Sequence, residues 1–142
     1  MATTAKKIRD VMTPAPVCVA PADSVSAAAR AMREHGIGTV MVCDDDKLLG
    51  LVTDRDIAVR VLAENRDPAA TQIADIASAE LATLSPDDDV SDAVQLVRER
   101  AVRRIPVVEN GRPVGIVSIG DIALDRDSGS ALADVSAAPP NT

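Results

Sequence analysis

A motif of a glycine, two aliphatic residues, a hydroxyl residue and, three positions after the hydroxyl residue, an aspartate occurs twice in this chain. The first motif is G-L-V-T-D-R-D-I at residues 50–57, and the second is G-I-V-S-I-G-D-I at residues 115–122. At a helix start, free N–H groups and the hydroxyl can bind phosphate oxygens, and the carboxylate can accept bonds from sugar hydroxyls. The same spacing is typical of a capping box, which needs no ligand and is worth about 1 kcal/mol. The motif alone leaves both interpretations open.

The two motifs belong to a longer internal repeat. A shift of 65 residues places Ile8 on Ile73 and Pro21 on Pro86 with no gap in between. This pattern indicates a tandem duplication, and the two copies of such a unit are expected to pack about a pseudo-twofold axis, with clefts that come in pairs. We expect repeat one over residues 8–64, a polar connector over 65–72, repeat two over 73–125, and a disordered tail, rich in Ser, Gly, Ala and Pro, over 126–142.

Hydrophobic periodicity predicts a β-α-β-β-α order for each repeat, and so a mixed α/β (α+β) fold. In repeat one the predicted strands are 17–19, 39–43 and 48–52, and the helices run from a Ser24 or Ser26 cap to about His35 and from 54 to about 63. In repeat two the predicted strands are 82–84, 105–108 and 113–117, the first helix starts at Asp89 or Ser91, and the second starts at Ser118. Asn110-Gly111 predicts a tight hairpin turn, and Asp44–Asp46 predicts the matching turn in repeat one. The first helix of each repeat should therefore connect two parallel strands.

Composition limits the possible partners. The net charge of -7 and the absence of Phe, Trp and Tyr provide neither a basic surface nor stacking platforms, so we expect no nucleic-acid partner. No apolar run is long enough for a membrane span, and the first residues do not form a signal sequence, so we expect a soluble, cytoplasmic protein. A chain of 142 residues with 46% hydrophobic residues is expected to bury one ordinary core.

The repeated motifs, together with R-R-I-P-V-V at residues 103–108, resemble the paired CBS domain, or Bateman module. The resemblance covers residues 8 to about 124. It implies regulatory binding of AMP, ADP, ATP or S-adenosylmethionine in clefts between the repeats. Asp56 and Asp121 would hold ribose, with Thr53 and Ser118 on the phosphate side. Arg55, Gly120 and Arg104 would also lie on the phosphate side, and the adenine pocket would be formed by Val17, Val19, Ile37, Val40, Ala82, Leu84, Val102 and Ile105.

The two repeats depart from each other at the predicted site. Repeat one has Gly38-Thr39 where repeat two has Arg103-Arg104, and Asp54 places a carboxylate beside the expected phosphate. Arg55 can offset that charge, whereas Gly120 leaves the backbone open to close approach. The two clefts therefore need not be equivalent, and one of them could be empty.

Three classes of function follow from these observations. The first is a regulatory or sensor module that binds an adenosine compound, forms a homodimer and acts in trans on an effector protein, since no effector domain is visible in the sequence. The alternative is an interaction or stress-response module with the same fold and no ligand. An enzyme has the least support, because no nucleophile stands with a base, and no cofactor is expected.

Cysteine and histidine carry two further expectations. Cys18 and Cys43 lie in neighbouring predicted strands, so we expect them to be close enough to bond, although reduced thiols and a disulfide both stay open. His35, the only histidine, lies near a helix end and is expected on the surface. The aspartate clusters lack the spacing of a calcium loop, and so no metal site is predicted.

Overall fold

Helices and strands form largely where capping residues and hydrophobic spacing predict them. The computed structural model describes residues 6–126, so the predicted tail beyond Arg126 lies outside the described residues. A π-helical turn over Ala58–Leu62 continues α3, and a short 3-10 turn spans Ile73–Asp75. In chain order the elements are α1 (Ile8–Val11), β1 (Thr13–Pro14), β2 (Cys18–Val19), α2 (Val25–His35), β3 (Thr39–Asp44), β4 (Lys47–Thr53), α3 (Asp54–Ile57), α4 (Val90–Arg100), β5 (Arg104–Glu109), β6 (Arg112–Ser118) and α5 (Ile119–Arg126).

Local chemistry explains the element ends. Ser24 begins α2 by accepting a bond from the Ala27 N–H at 3.2 Å, and Gly36 ends the helix in the left-handed region at φ 63°. The β5–β6 hairpin turns at Asn110 and Gly111, whose φ angles are 55° and 80°. Both are positive, as a two-residue turn of type I′ requires. The turn of repeat one, at residues 45–46, has two positive φ angles as well.

Two three-stranded sheets result. The first has the order β2-β3-β4, in which β2 is parallel to β3 and β3 is antiparallel to β4. The second has the order β1-β6-β5, with both neighbouring pairs antiparallel. The predicted strand 82–84 shortens to a single parallel bridge between Leu84 and Val107. The predicted mixed fold and the parallel crossover of repeat one are confirmed.

One edge of each sheet is formed by residues from the start of the other repeat. The chain forms two compact units: the first unit is residues 16–81, and the second unit is residues 82–126 together with residues 6–15. In the second unit, β1 pairs with β6, and Thr13 lies opposite Ile116. In the first unit, Ser78 forms the matching bridge with Leu51. Residues 6–15 and 73–81 each open one repeat in the sequence but lie in the compact unit of the other repeat, and we call them the exchanged segments.

The expectation of a single core is wrong, because each unit has its own buried cluster. In the first unit, α2 covers one face of the sheet, and the core includes Val25, Val40, Val52 and Ile73. In the second unit, α1 contributes Ile8 to a core that includes Leu84, Ala93, Ile105 and Val117. Ile8 and Ile73, which correspond in the repeat, are both fully buried. Each three-stranded sheet has its own helix to cover its apolar face, so the chain builds two small cores.

Candidate functional site

The motif of repeat one forms a complete capping box at the start of α3. The Thr53 N–H donates to Asp56 Oδ2 at 2.9 Å, and the Asp56 N–H donates to Thr53 Oγ1 at 3.1 Å. Asp56 Oδ1 is not used by the cap and lies 3.8 Å from Nε of Arg60. The box therefore positions the carboxylate rigidly while leaving one of its oxygens available for a further partner.

The motif of repeat two has the same geometry at the start of α5. The Ser118 N–H donates to Asp121 Oδ2 at 2.8 Å, and the Asp121 N–H donates to Ser118 Oγ at 3.1 Å. Both side chains are half-buried. Capping and ligand binding are thus compatible here, because capping occupies only one carboxylate oxygen.

The next backbone N–H groups differ between the two helix starts. In repeat one the Asp54 N–H donates to the Gly38 carbonyl at 2.9 Å, and the Arg55 N–H donates to the Asp54 carboxylate at 2.8 Å. In repeat two the Ile119 N–H likewise donates to the Arg103 carbonyl at 2.9 Å. The N–H of Gly120, which corresponds to Arg55, has no acceptor among residues 6–126. Ile119, which replaces Asp54, brings no carboxylate, so the second helix start keeps a donor that the first has used.

The residues opposite the two motifs on the neighbouring strands also differ between the repeats. Arg104 on β5 lies opposite Ser118 on β6, as the cross-strand register shows. Thr39 on β3 lies opposite Thr53 on β4 at the corresponding place. Side chains of directly opposed residues project from the same face of a sheet. The register therefore places an arginine side chain on the same sheet face as Ser118 in repeat two, and a threonine side chain on the same face as Thr53 in repeat one.

Thr39 is a candidate residue that sequence reasoning missed. Its side chain is 7% exposed, and its Oγ1 is a buried atom without a hydrogen-bond partner among the described residues. Leaving a hydroxyl unpaired in the interior costs about 1–3 kcal/mol. The alignment of Thr39 with Arg104, which the resemblance already singled out, was the signal that could have identified it.

The motif glycines serve packing. A Cβ added at Gly50 would lie 2.7 Å from the Ser78 carbonyl oxygen, and a Cβ added at Gly115 would lie 2.9 Å from the Thr13 carbonyl oxygen. Ser78 and Thr13 belong to the two exchanged edge segments. The glycine of the motif is therefore explained by backbone approach within each unit, without any ligand.

The residues predicted for the adenine pocket fall into three groups. Val40, Leu84 and Ile105 are core residues with at most 5% of their surface exposed. Val17, Val19 and Val102 are partly buried and pack against those cores. Ile37 is 37% exposed, and Ala82 is half-buried. The partly buried and exposed members of the set are the ones whose side chains have surface left for a ligand.

The two cysteines are close together, as predicted. Sγ of Cys43 lies 3.0 Å from Sγ of Cys18, and both are free thiols in the structure. His35 is exposed, as expected. Over residues 6–126, no three His, Cys, Asp or Glu side chains form a group that could hold a metal ion. Within the same range no helix is long and apolar enough to cross a bilayer.

Comparison with known proteins identifies the family to which this chain belongs. The family model of the CBS domain matches this chain twice, at residues 8–63 and 73–125. The chain therefore belongs to the CBS domain family and contains a tandem pair of these domains, which confirms the resemblance seen in the sequence. It is 37% identical over 133 residues to the CBS domain-containing protein YhcV of Bacillus subtilis, covering 91% of this chain and 94% of that protein.

Two further relatives have solved structures. Hypoxic response protein 1 of Mycobacterium tuberculosis is 38% identical over 116 residues, which is 81% of each chain. Its structure with two coordinated zinc ions matches with a TM-score of 0.76 at 37% identity, covering 83% of this chain and 97% of that one. The CBS domain pair of protein MJ0100, in complex with 5′-methylthioadenosine and S-adenosylmethionine, matches with a TM-score of 0.75 at 28% identity, covering 84% of this chain and 94% of that one.

Proposed function

We propose that this CBS domain pair is a regulatory module that binds an adenosine compound at its Ser/Thr-x-x-Asp motifs and acts on a separate effector protein. AMP, ADP, ATP and S-adenosylmethionine are the candidate ligands. The proposal rests chiefly on one observation: in repeat two, the Gly120 N–H has no acceptor within residues 6–126, Arg104 lies opposite Ser118 in the strand register, and capping leaves one Asp121 carboxylate oxygen unused. The complex of a related CBS pair with adenosine compounds adds support.

Repeat two has the chemistry that a phosphate group requires. Arg104 supplies positive charge opposite Ser118, and the Gly120 N–H is an available donor at the positive end of α5. Gly120 also has no side chain to keep a ligand from the backbone. Asp121 can accept bonds from the ribose hydroxyls through its Oδ1 atom. AMP, ADP or ATP would therefore bind at this motif.

The motif of repeat one is suited to a different class of ligand. The Asp54 carboxylate lies where phosphate would have to approach, and it already accepts the Arg55 N–H. An anion there would meet negative charge and find fewer free donors. A neutral or cationic adenosine compound, such as S-adenosylmethionine, avoids that repulsion. The buried Thr39 hydroxyl is then a further group that a ligand can satisfy.

A second candidate function is an interaction module without a nucleotide. Both capping boxes are complete in the absence of any ligand. Both motif glycines are explained by contacts with the exchanged segments. The hydroxyl residue, the capping aspartate and the glycine of each motif therefore have a structural role, which is what a module that has kept the fold and lost the ligand requires.

We also propose that the chain forms a homodimer. Val59 and Leu62, one helical turn apart on the continuation of α3, are 49% and 60% exposed. An open groove also lies along α4 and α5, lined by Ser91, Val94, Gln95, Arg98, Glu99 and Ile122. The exposed apolar pair Val59 and Leu62 supports self-association of a duplicated module.

Calorimetric melting with each of the four adenosine compounds tests the nucleotide proposal. A ligand that binds only the folded protein at 100 times its Kd should add about 2.7 kcal/mol to the free energy of unfolding. Asp121→Asn should leave the melting of the free protein nearly unchanged, because asparagine can still accept the Ser118 N–H. It should weaken AMP, ADP or ATP about tenfold or more, because a charged acceptor of ribose hydroxyls is lost.

Asp56→Asn is the matched control for that variant. It makes the same chemical change at the other capping box, so it should leave the response to phosphorylated compounds largely intact. If both variants lose the response, both motifs are needed to bind phosphorylated compounds, and the proposed difference between them is wrong. If millimolar AMP, ADP, ATP and S-adenosylmethionine all leave the melting of the wild-type protein unchanged, the interaction-module function replaces the nucleotide proposal.

A further inference from the structure

The two cysteines occupy one corner of the first sheet. Cys18 lies on the two-residue strand β2, opposite Met41 on β3. Cys43 is two residues beyond Met41, and the Cys43 thiol donates a hydrogen bond to the sulfur of Cys18 at 3.0 Å. A small approach of the sulfur atoms is enough to reach the S–S bond length of about 2.05 Å.

Neither sulfur is needed for packing. Cys18 is exposed and Cys43 is half-buried, and neither belongs to the buried core of the first unit. Repeat two carries Thr83 and Val108 at the corresponding places, so the fold forms without sulfur there. Two adjacent free thiols, one of them exposed to solvent, are able to react with a disulfide in solution.

We propose that Cys18 and Cys43 form a redox-active dithiol that undergoes exchange with a low-molecular-weight disulfide, with Cys18 as the attacking thiol and Cys43 as the resolving thiol. In the first step the Cys18 thiolate, having lost its proton to solvent, attacks one sulfur of the small disulfide. A mixed disulfide forms on Cys18, and one small thiolate leaves and takes up a proton from water. The small disulfide is the oxidant, so no other electron acceptor is required.

The second step closes the intramolecular bond. The Cys43 sulfur loses its proton to solvent and attacks the sulfur of Cys18, which releases the second small thiolate, and this thiolate takes up a proton from water. In sum, two protein thiols become one disulfide, and one small disulfide becomes two small thiols. The position of Cys43 next to Cys18 makes this step intramolecular and favours it over a second external attack.

Exposure and local chemistry assign the order of attack. The Cys18 sulfur is open to an incoming disulfide, whereas Cys43 is partly shielded. Burial, followed by the hydrogen bond to Cys18, raises the pKa of the Cys43 thiol to about 12 from its ordinary value of 9.0. Cys43 therefore stays protonated near neutral pH and is poorly suited to attack first, because the thiolate is the nucleophile.

Incubation of the reduced full-length protein with glutathione disulfide, followed by intact-mass and peptide analysis, tests the proposal. The wild-type protein should lose two hydrogens per chain, form a peptide cross-link between Cys18 and Cys43, and retain no glutathione. Dithiothreitol should reverse the change. Because the new bond ties the short strand β2 to β3, the oxidised protein should also melt at a higher temperature than the reduced protein.

Two single variants separate the roles of the thiols. Cys43→Ser should trap one glutathione on Cys18, and Cys18→Ser should react at Cys43 at least about tenfold more slowly. In denaturant the two variants should react at similar rates, since the difference arises from the folded environment. Equal rates in the folded variants would overturn the order of attack. Two stable glutathione adducts on the wild-type protein, or thiols that stay reduced, would overturn the dithiol itself.

Discussion

Asp54 and Ile119 occupy equivalent positions in the two repeats, yet they have opposite consequences for an anionic ligand. The Asp54 carboxylate occupies the Arg55 N–H, whereas Ile119 is an apolar side chain that is 39% exposed and leaves the Gly120 N–H without an acceptor among the described residues. The carboxylate on the first turn therefore contributes to the electrostatic difference between the two motifs. The strand neighbours Thr39 and Arg104 add to it in the same direction.

A reciprocal exchange of charge tests this difference at the residue scale. Ile119→Asp should weaken AMP or ATP binding about tenfold, because it places a carboxylate beside the phosphate and lets it compete for the Gly120 N–H. Asp54→Ala should strengthen binding of the same compounds at the first motif, because it removes the charge and frees the Arg55 N–H. Titration calorimetry measures both changes as shifts in Kd.

High salt provides the control for that pair of variants. Screening weakens the interaction between exposed charges, so the effect of Ile119→Asp should shrink as ionic strength rises. Ile119→Asn offers a neutral comparison of similar polarity and should bind nearly as well as the wild type. If Ile119→Asp leaves phosphate compounds unaffected at low salt, the second motif does not hold their phosphate groups.

At the scale of elements, the edge segments explain why each motif begins with glycine. Leu51 and Ser78 exchange two backbone hydrogen bonds, of 3.0 Å and 2.9 Å, next to Gly50. A side chain at Gly50 would meet the Ser78 carbonyl, and one at Gly115 would meet the Thr13 carbonyl. The glycine lets a distant segment lie against the sheet, and this close approach completes the core of each unit.

Gly50→Ala and Gly115→Ala should therefore destabilise the protein by about 1–3 kcal/mol each, through forced displacement of backbone atoms. Chemical denaturation with urea measures the change. Gly111→Asn is the control: a Cβ added there would meet nothing within 4 Å, and asparagine tolerates a positive φ, so the loss should be at most about a few tenths of a kcal/mol. An alanine at Gly50 that costs no more than the control would contradict the packing explanation.

At the scale of the whole molecule, two small cores replace the single core that length and composition suggest. Each is built from one three-stranded sheet, one main helix and a buried isoleucine from an exchanged segment. Ile8 is fully buried in the second unit although it opens repeat one in the sequence. Loss of residues 6–15 would therefore remove part of the second core.

We expect the whole molecule to form a homodimer in solution. Light scattering at tens of micromolar should give the mass of two chains, both for the full chain and for a chain ending at Arg126, because the proposed surface does not involve the tail. Replacing Val59 and Leu62 together by Glu should reduce the mass to that of one chain, since two buried like charges at an interface are costly. Leu49→Glu, at a residue that is also exposed, at 45%, is the control and should remain a dimer.

A wild-type mass of one chain would contradict self-association altogether. A dimer that survives the double replacement would instead move the interface away from this helix, and the groove along α4 and α5 would be the next surface to test. Circular dichroism of each variant confirms that a change in mass is not caused by unfolding.

The sequence by itself determined what depends on neighbours along the chain. Ser24, Gly36, Asn110-Gly111 and the two Ser/Thr-x-x-Asp motifs predicted helix starts, a helix end and a hairpin, because caps and tight turns join residues at most a few positions apart. The repeat predicted the same β-α-β-β-α order twice. The strand order of repeat one also predicted that Cys18 and Cys43 lie close together, because a direct crossover makes their strands neighbours.

Only the tertiary structure decided which segment completes each sheet, which hydroxyl stays unpaired and which thiol is shielded. The pairing of Thr13 with Ile116 joins residues about a hundred positions apart, and hydrophobic periodicity contains no information on such a choice. The same is true of the unpaired hydroxyl of Thr39 and the exposure of Cys18, because both depend on what packs around them. Burial and long-range pairing are properties of the assembled chain, and the ligand chemistry proposed for each motif depends on them.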